Sequence, residues 1–335
     1  MAISSNALSL AAYCLMSNDP IVQAIGWSLI ENGSILDDIP LVNQQTLLAN
    51  GTRWEGNLPT VNWSNLNEEG AVTSGVPTPF QEQAFIIRNN IDTDKFLVLD
   101  KNQIADPRGV QLAAYMKAVA YEFNHLFINN NHTSGNAKAI VGLRERIDNG
   151  AKYGVRSENK IAGGGVDMTS GAMTAATFAA FTELVDQLLW SVGSPSGAGV
   201  VLYLNDVMKR RWDRALRQFS GAGGFSTATD QFGRTIEMYK GAVIRDIGLK
   251  ADQSTKIITA TETAAGADSN NTHTSIYAAH FGMDQLMGWQ FEELQGRDLG
   301  LMENGAIYRT SIDWAGGLYP NTTRCVARLH GIKLS

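Results

Sequence analysis

The sequence of 335 residues contains only two cysteines, Cys14 and Cys325, and eight prolines, and it has no lysine before residue 95. Two cysteines cannot form a disulfide framework, so the fold must be stabilised by burial of apolar surface. No run of 18 apolar residues occurs, and therefore no membrane-spanning helix is expected and no membrane is predicted as a partner. The chain is 44% hydrophobic and 18% charged, a composition typical of a folded protein.

The acidic charge is concentrated at the N-terminal end. The first 94 residues contain ten acidic residues and two basic ones, whereas the rest of the chain is nearly balanced within a net charge of −6. This pattern fits an acidic segment that faces solvent, and it also fits an acidic segment that lies over a more basic neighbouring subunit. The overall acidity argues against tight, salt-sensitive binding of nucleic acid.

Residues 43–100 are predicted to form a long extended arm without a helix. Turn signals such as Asn50-Gly51 separate short runs of β-type residues, among them Leu58 to Trp63 and Phe96 to Leu99. A weakly apolar hairpin of this length cannot bury enough surface to become ordered alone. The arm therefore needs a partner, which other copies of the same chain would supply.

A long helix follows, with Asp106 as N-cap and Pro107 at its first position, and it is predicted to end near Ile128. Its apolar residues recur every three or four positions, as expected for a helix with one buried face. They are Leu112, Met116, Val119, Phe123 and Phe127.

Further helices are predicted from Thr174 to Trp190 and from Asn205 to about Phe219, on either side of a buried strand over 200–204. Residues 222–234 are predicted to be a loop. Strands are predicted at Ala242 to Ile247, Lys256 to Thr261, Ser275 to His280, Gly305 to Ile312 and Cys325 to Ile332. Strands and helices do not alternate regularly, which indicates an α+β fold.

No set of residues has the spacing of a catalytic, cofactor or metal site. The glycines at 163–165 and 221–224 are not followed by the Lys-Ser/Thr of a phosphate loop. The five histidines are scattered without a His-x-x-x-His pair. We therefore expect a protein that is not an enzyme and has no cofactor, although a soluble hydrolase stays a remote third class.

One basic cluster occurs in the third predicted helix, where Arg210, Arg214 and Arg217 share a face. Asp206 precedes these arginines and Asp213 lies between two of them, so local ion pairing is the first interpretation. A contact with another subunit and a surface that faces a polyanion are the alternatives.

Several motifs carry a resemblance to a known family through their order and spacing. The helix that begins Asp106-Pro-Arg-Gly-Val and reaches Phe-Asn-His-Leu-Phe-Ile-Asn-Asn130 resembles the spine helix in the major capsid proteins of tailed double-stranded DNA phages. Tyr239-Lys-Gly-Ala-Val-Ile, Tyr308-Arg-Thr-Ser-Ile-Asp-Trp and Ala327-Arg-Leu-His-Gly-Ile-Lys resemble its later strands.

The resemblance implies the Hong Kong 97-type capsid fold. An N-terminal arm would cover residues 1–42, and an extended loop (E-loop) with its base would cover 43–100. A peripheral P-domain with the spine helix at 107–128 would cover 101–165, an axial A-domain 166–300, and a return to the P-domain 301–335.

The same resemblance implies a shell built from pentamers and hexamers of this chain around double-stranded DNA, in a virion assembled in the host cytoplasm. The DNA would be held without sequence-specific binding. An encapsulin-type nanocompartment, which shares the fold, is the alternative. A portal, a decoration protein and a separate scaffolding protein are the further partners expected, the last because the N-terminus is short.

Some capsids of this type crosslink through a lysine of the E-loop, a chemistry not expected here because no lysine precedes residue 95. The candidate contacts between subunits are Arg53, Trp54, Trp63, Glu68, Glu69, Arg210, Arg214 and Arg217.

Overall fold

The computed structural model describes residues 9–16, 22–23, 26–27, 35–55, 58–100, 106–219, 225–229, 235–264, 268–303 and 305–334. Helices and strands are mixed along the chain, and the predicted α+β class is confirmed. None of the described helices is both long and apolar enough to cross a membrane.

Seven α-helices are described, and two short 3₁₀ turns accompany them. The helices are α1 (Leu10–Met16), α2 (Lys95–Leu99), α3 (Pro107–Asn129), α4 (Leu143–Asp148), α5 (Gly150–Tyr153), α6 (Ala175–Ser191) and α7 (Asp206–Gln218).

Fourteen strands are described. They are β1 (Leu41–Asn43), β2 (Leu48–Arg53), β3 (Thr78–Gln83), β4 (Phe85–Asp94), β5 (Lys160–Ala162), β6 (Val200–Leu204), β7 (Phe225–Thr229), β8 (Thr235–Tyr239), β9 (Ala242–Asp246), β10 (Glu262–Ala264), β11 (Asp268–His280), β12 (Leu286–Leu301), β13 (Ile307–Pro320) and β14 (Val326–Lys333).

These strands form three sheets. A four-stranded sheet has the order β1-β12-β13-β4, and β2 and β3 form a separate hairpin. The largest sheet has the order β5-β14-β11-β6-β9-β8-β7, with β10 paired to β11. Because β12 and β13 pair over most of their length, the four-stranded sheet is long and narrow.

The long helix α3 forms where the sequence predicts it. The Asp106 carboxylate accepts a hydrogen bond from the Arg108 amide at 3.1 Å, and Pro107 occupies the first turn. Met116, Phe123 and Phe127 are buried, and the Phe123 ring contacts Trp314 of β13 with ring centroids 6.2 Å apart. The apolar face of α3 is therefore buried against the four-stranded sheet.

The predicted helices α6 and α7 and the strand β6 are also confirmed. Thr174 and Asn205 cap the two helices through hydrogen bonds from backbone amides to their side chains. All five residues of β6 are buried, since it lies inside the largest sheet with helices against it.

Four local predictions are wrong. Residues 95–99 form helix α2 instead of a strand, because the Asp94 carboxylate caps the turn by accepting a hydrogen bond from Phe96 N at 2.8 Å. Residues 256–261 are irregular, and residues 225–229 pair with β8 instead of forming a loop. The sixteen-residue strand β12 is absent from the prediction, since its glycines and charged residues obscure the alternation of apolar side chains.

The division into N-terminal arm, E-loop, P-domain and A-domain stays a prediction. Residues 1–8, 17–21, 24–25 and 28–34 of the predicted arm lie outside the described residues, as does the glycine-rich stretch 221–224. Strand β12 falls inside the range predicted for the A-domain, yet it pairs with β1 and β13 in the sheet that packs on α3.

We expect Phe123→Ala to lower the free energy of unfolding by about 3–5 kcal/mol, because a side chain 6% exposed would be replaced by a cavity. Urea unfolding of the unassembled chain measures this change. Val110→Ala on the same helix is the control, because Val110 is 56% exposed and its loss should change stability by less than about 0.5 kcal/mol. Equal effects in the two variants would contradict the burial of this face.

Candidate assembly site

An extended arm leaves the body of the molecule at the hairpin formed by β2 and β3. The two strands pair from Leu48 with Gln83 to Arg53 with Thr78, and the 24 residues between them, 54–77, contain no described strand or helix. At the tip, Glu68 N donates to Asn65 O at 3.2 Å, and the Glu68 carboxylate accepts from Asn65 N at 2.9 Å. This turn reverses the chain and divides the arm into an outgoing and a returning limb.

Large apolar side chains of the arm are exposed to solvent. Trp63 and Leu66 are each 94% exposed, and Val72 is fully exposed. Leu58, Val61 and Val76 are also exposed. Monomeric proteins rarely expose so many large apolar groups in one segment, and such segments mark interaction sites.

The base of the arm, by contrast, is fixed by buried Arg53. Its Nη2 donates to Pro320 O at 2.5 Å, and its Nη1 lies 3.3 Å from both Tyr153 O and Gly154 O. The guanidinium also stacks over the Phe80 ring at 4.0 Å. Burial lowers the pKa of Arg53 from its ordinary value. Arg53 was predicted as a contact with another subunit, but these bonds engage it inside its own chain.

A second buried arginine fixes the other strand of the hairpin. Arg146 of α4 is 1% exposed and makes a bidentate pair with Glu82 of β3, at 2.6 and 2.9 Å. Burial acts to lower the pKa of Arg146, but the charge of Glu82 and its hydrogen bonds outweigh burial and raise it. The sequence did not indicate this pair, because no local pattern connects residues 64 positions apart.

The remaining arm candidates are exposed to solvent to different extents. Trp54 is 49% exposed, and both Glu68 and Glu69 are exposed. Between residues 54 and 77 the arm carries three acidic residues and no basic one. The outer arm is therefore apolar and negatively charged at once.

The basic face of α7 is distant from the arm in sequence and exposed. A surface groove is lined by Val207, Arg210, Arg211, Arg214 and Arg217. Arg210 pairs with Asp206 at 2.8 Å, as the interpretation of local pairing predicts, and Arg214 donates to Ser170 Oγ. Arg217 has no ion pair among the described residues, and it lies close enough to Asp213 of the same helix to interact with its charge.

The described part of the chain has no cluster of three His, Cys, Asp or Glu side chains that could hold a metal ion. Its densest ionic network joins Arg328, Glu262 and Asp148 between β14, β10 and α4. Burial acts to raise the pKa of Asp148, but Lys160 and Arg328 outweigh burial and lower it. The network therefore connects three elements of the body through ion pairs.

We expect Glu82→Ala to destabilise the unassembled chain by about 3–5 kcal/mol, because the buried Arg146 would lose its counter-charge. The double variant Glu82→Leu/Arg146→Met should recover most of this loss, since it removes both charges. Urea unfolding measures both variants. Glu158→Ala, which breaks the exposed pair with Arg156, is the control and should change stability by only about 0–1 kcal/mol. A double variant as unstable as Glu82→Ala would contradict this account of the pair.

Comparison at the level of sequence identifies no relative. No protein-family model matches the chain, and no curated protein is similar to it.

Comparison at the level of structure does identify similar proteins. The holo-SrpI encapsulin complex from Synechococcus elongatus PCC 7942 matches with a TM-score of 0.59 at 11% identity, over 89% of this chain and 86% of that one. The capsid of an empty GTA particle matches with a TM-score of 0.56 at 14% identity, over 90% of each chain. Microbacterium phage Oxtober96 matches with a TM-score of 0.53 at 12% identity, over 88% of this chain and 89% of that one.

All three matches extend over nearly the whole of both chains, although the sequence identities are only 11–14%. The first of these structures is an encapsulin complex and the second is the capsid of a particle. The chain has the Hong Kong 97-type fold of phage major capsid proteins, which encapsulin shells share.

Proposed function

We propose that this chain is the major capsid protein of a tailed double-stranded DNA phage. It would assemble into pentamers and hexamers that close into an icosahedral shell around the genome. The observation that carries this proposal is the outer arm, which is held at its base and leaves its apolar side chains uncovered. Identical neighbours in a shell would cover every arm at once.

The physical argument rests on burial. Covering a large apolar side chain contributes about 1.5–3 kcal/mol, so three such residues on each arm would favour association strongly. A single chain offers the outer arm no surface of its own, since residues 58–74 are exposed throughout. Fold similarity to capsids over 90% of the chain supports the same conclusion.

An encapsulin-type nanocompartment is the second candidate. The similarity to the Synechococcus elongatus encapsulin, with a TM-score of 0.59, favours it specifically. Both candidates require the same arm contacts, so the contents of the particle distinguish them. A nuclease-protected double-stranded genome supports the capsid, and a protein cargo without such DNA supports the nanocompartment.

For the capsid, the partners would be a scaffolding protein, a portal and a decoration protein, with assembly in the host cytoplasm and a final location in the virion. The packaged DNA would be enclosed without sequence-specific contacts, in keeping with the net charge of −6. In this assignment residues 43–100 form the E-loop and its base, 101–165 and 301–335 the P-domain, and 166–300 the A-domain.

We also propose that the basic face of α7 contacts another subunit. Arg210, Arg214 and Arg217 project from one side of the helix, whereas Met208 and Trp212 on the opposite side are buried. Acidic residues concentrated in the first 94 positions provide a complementary surface on a neighbour.

The arm is tested by replacing residues 58–75 with a short Gly-Ser linker. We expect the body to stay folded, because Arg53 and Glu82 are kept, and we expect shells to be lost. Circular dichroism measures the fold, and electron microscopy with sedimentation measures the particles. A matched control changes only polar positions of the outgoing limb, Thr60→Ala, Asn62→Ala and Ser64→Ala, and should still assemble. Normal shells from the shortened chain would refute the role of the arm.

The basic face is tested by changing Arg210, Arg214 and Arg217 together to Glu, because one exposed ion pair contributes only about 0–1 kcal/mol. We expect assembly to fail, since three charges are reversed at a contact. The control changes the same residues to Lys and should assemble, because the positive charge is kept. Assembly and DNA retention are scored separately, and normal particles that fail only to retain DNA would refute the contact and favour a surface for a polyanion.

A further inference from the structure

The junction between α4 and α5 consists of an asparagine followed by a glycine. Asn149 is exposed, and its side chain makes no capping hydrogen bond to α5, which is a single turn. Gly150 is required by packing, because a Cβ atom there would collide with Val155 O. The fold therefore places an unrestrained carboxamide directly before the residue whose backbone nitrogen is least hindered.

We propose that Asn149 is a site of spontaneous covalent modification that loosens the anchor of Arg53. The Gly150 amide nitrogen loses its proton and attacks Asn149 Cγ, and the side-chain nitrogen takes up a proton and leaves as ammonia. The product is a cyclic imide. Water then opens the ring at either carbonyl. Opening at the side-chain carbonyl gives aspartate, whereas opening at the backbone carbonyl gives isoaspartate, in which the chain continues through the former side chain.

The attack requires a local rearrangement, and α5 permits it. Asn149 has ψ 45° and must rotate to bring its Cγ to the Gly150 nitrogen. Few bonds oppose this rotation, chiefly Lys152 N to Asn149 O and Val155 N to Gly150 O, both at 2.9 Å. One helical turn has little stability of its own, so it opens at a small fraction of the free energy of global unfolding.

A second Asn-Gly pair, Asn50 and Gly51 of β2, is also exposed but is held more firmly. Asn50 Oδ1 accepts a hydrogen bond from Gln81 Nε2 at 2.9 Å, and Asn50 O accepts one from Tyr319 OH at 3.2 Å. Both residues also pair with β3, so the ladder must open before Asn50 can react. The other two Asn-Gly pairs of the sequence begin at asparagines outside the described residues.

The modification would act on the base of the arm. Tyr153 O and Gly154 O, at the end of α5, each lie 3.3 Å from Arg53 Nη1. Isoaspartate adds one methylene group to the backbone between α4 and α5, while α4 stays fixed through the pair of Arg146 with Glu82. The added length displaces the two carbonyl groups from Arg53. Only the consequence for assembly rests on the proposed shell.

Peptide mapping tests the chemistry. The unassembled chain is incubated at mildly alkaline pH until a synthetic peptide of residues 143–155 is half converted. Mass spectrometry should show conversion of the amide to an acid at Asn149, and an isoaspartate-specific methyltransferase should label the same peptide. Conversion at Asn50 should be about tenfold slower, because the hairpin must open first. An unmodified Asn149, or an Asn50 that converts as fast, would overturn the proposal.

Hydrogen exchange tests the effect on the anchor without requiring shells. Exchange in peptides over residues 150–155 and 48–53 should rise in the incubated chain as isoaspartate accumulates. Asn149→Gln should prevent the rise, because its longer side chain must close a larger ring and cyclises far more slowly. Asn50→Gln is the matched control and should behave as wild type. Unchanged exchange in a converted chain, or an equal rise in Asn149→Gln, would overturn the loosening of the anchor.

Assembly separates this inference from the proposed function. Fresh wild-type chain that forms no shells would count against the shell, while peptide mapping and hydrogen exchange still decide the modification. Where fresh chain assembles, the yield of shells after incubation should fall in proportion to the isoaspartate at Asn149, and Asn149→Gln should keep its yield. A full yield from converted wild type would overturn the effect of this site on the arm.

Discussion

Two buried guanidinium groups determine where the arm leaves the body. Arg146 pairs with Glu82 on one strand of the hairpin, and Arg53 on the other strand bonds carbonyl groups of the body. A two-stranded hairpin is only marginally stable in water, so these bonds, and not the ladder alone, give the arm a fixed base. The separation between a rigid base and an uncovered outer part depends on them.

That separation links folding to association. The body has large apolar cores that include α3 and the strands of two sheets, so it can fold as one chain. The outer arm has no such core, and in the proposed shell neighbouring copies would cover it. Because the arm's direction is already fixed at its base, less conformational freedom remains to be lost when a neighbour binds.

The sequence was sufficient for elements whose signals are local. Asp106 and Pro107 mark the start of α3, and the spacing of Met116 and Phe123 identifies its buried face. The resemblance to phage capsid proteins likewise depended on short motifs in a particular order, and the fold confirms it. Local periodicity and capping chemistry survive in a sequence even where overall identity to similar structures is 11–14%.

The sequence was insufficient where distant residues decide the structure. Buried Arg53 donates hydrogen bonds to the carbonyl groups of Tyr153 and Pro320, and no residue near position 53 in the sequence predicts these contacts. Strand β12 is held by its neighbours β1 and β13, which allows glycines and charged residues that a strand pattern would exclude. Asp94 caps helix α2 through one hydrogen bond. In the sequence, a single capping residue is a weaker signal than the β-type composition of the residues that follow it, and the prediction therefore favoured a strand.

Arg53 also determines how mechanical force would pass through the molecule. Gly154 adopts φ +65°, and a Cβ atom there would collide with Arg53 Nη1, so the anchor needs glycine at that position. Tension at the arm tip reaches the body through Arg53 at two points, the end of α5 and the end of β13, and through Arg146 at a third. In the proposed shell, these contacts and the covalent chain would together carry any force that a neighbouring subunit exerts on the arm.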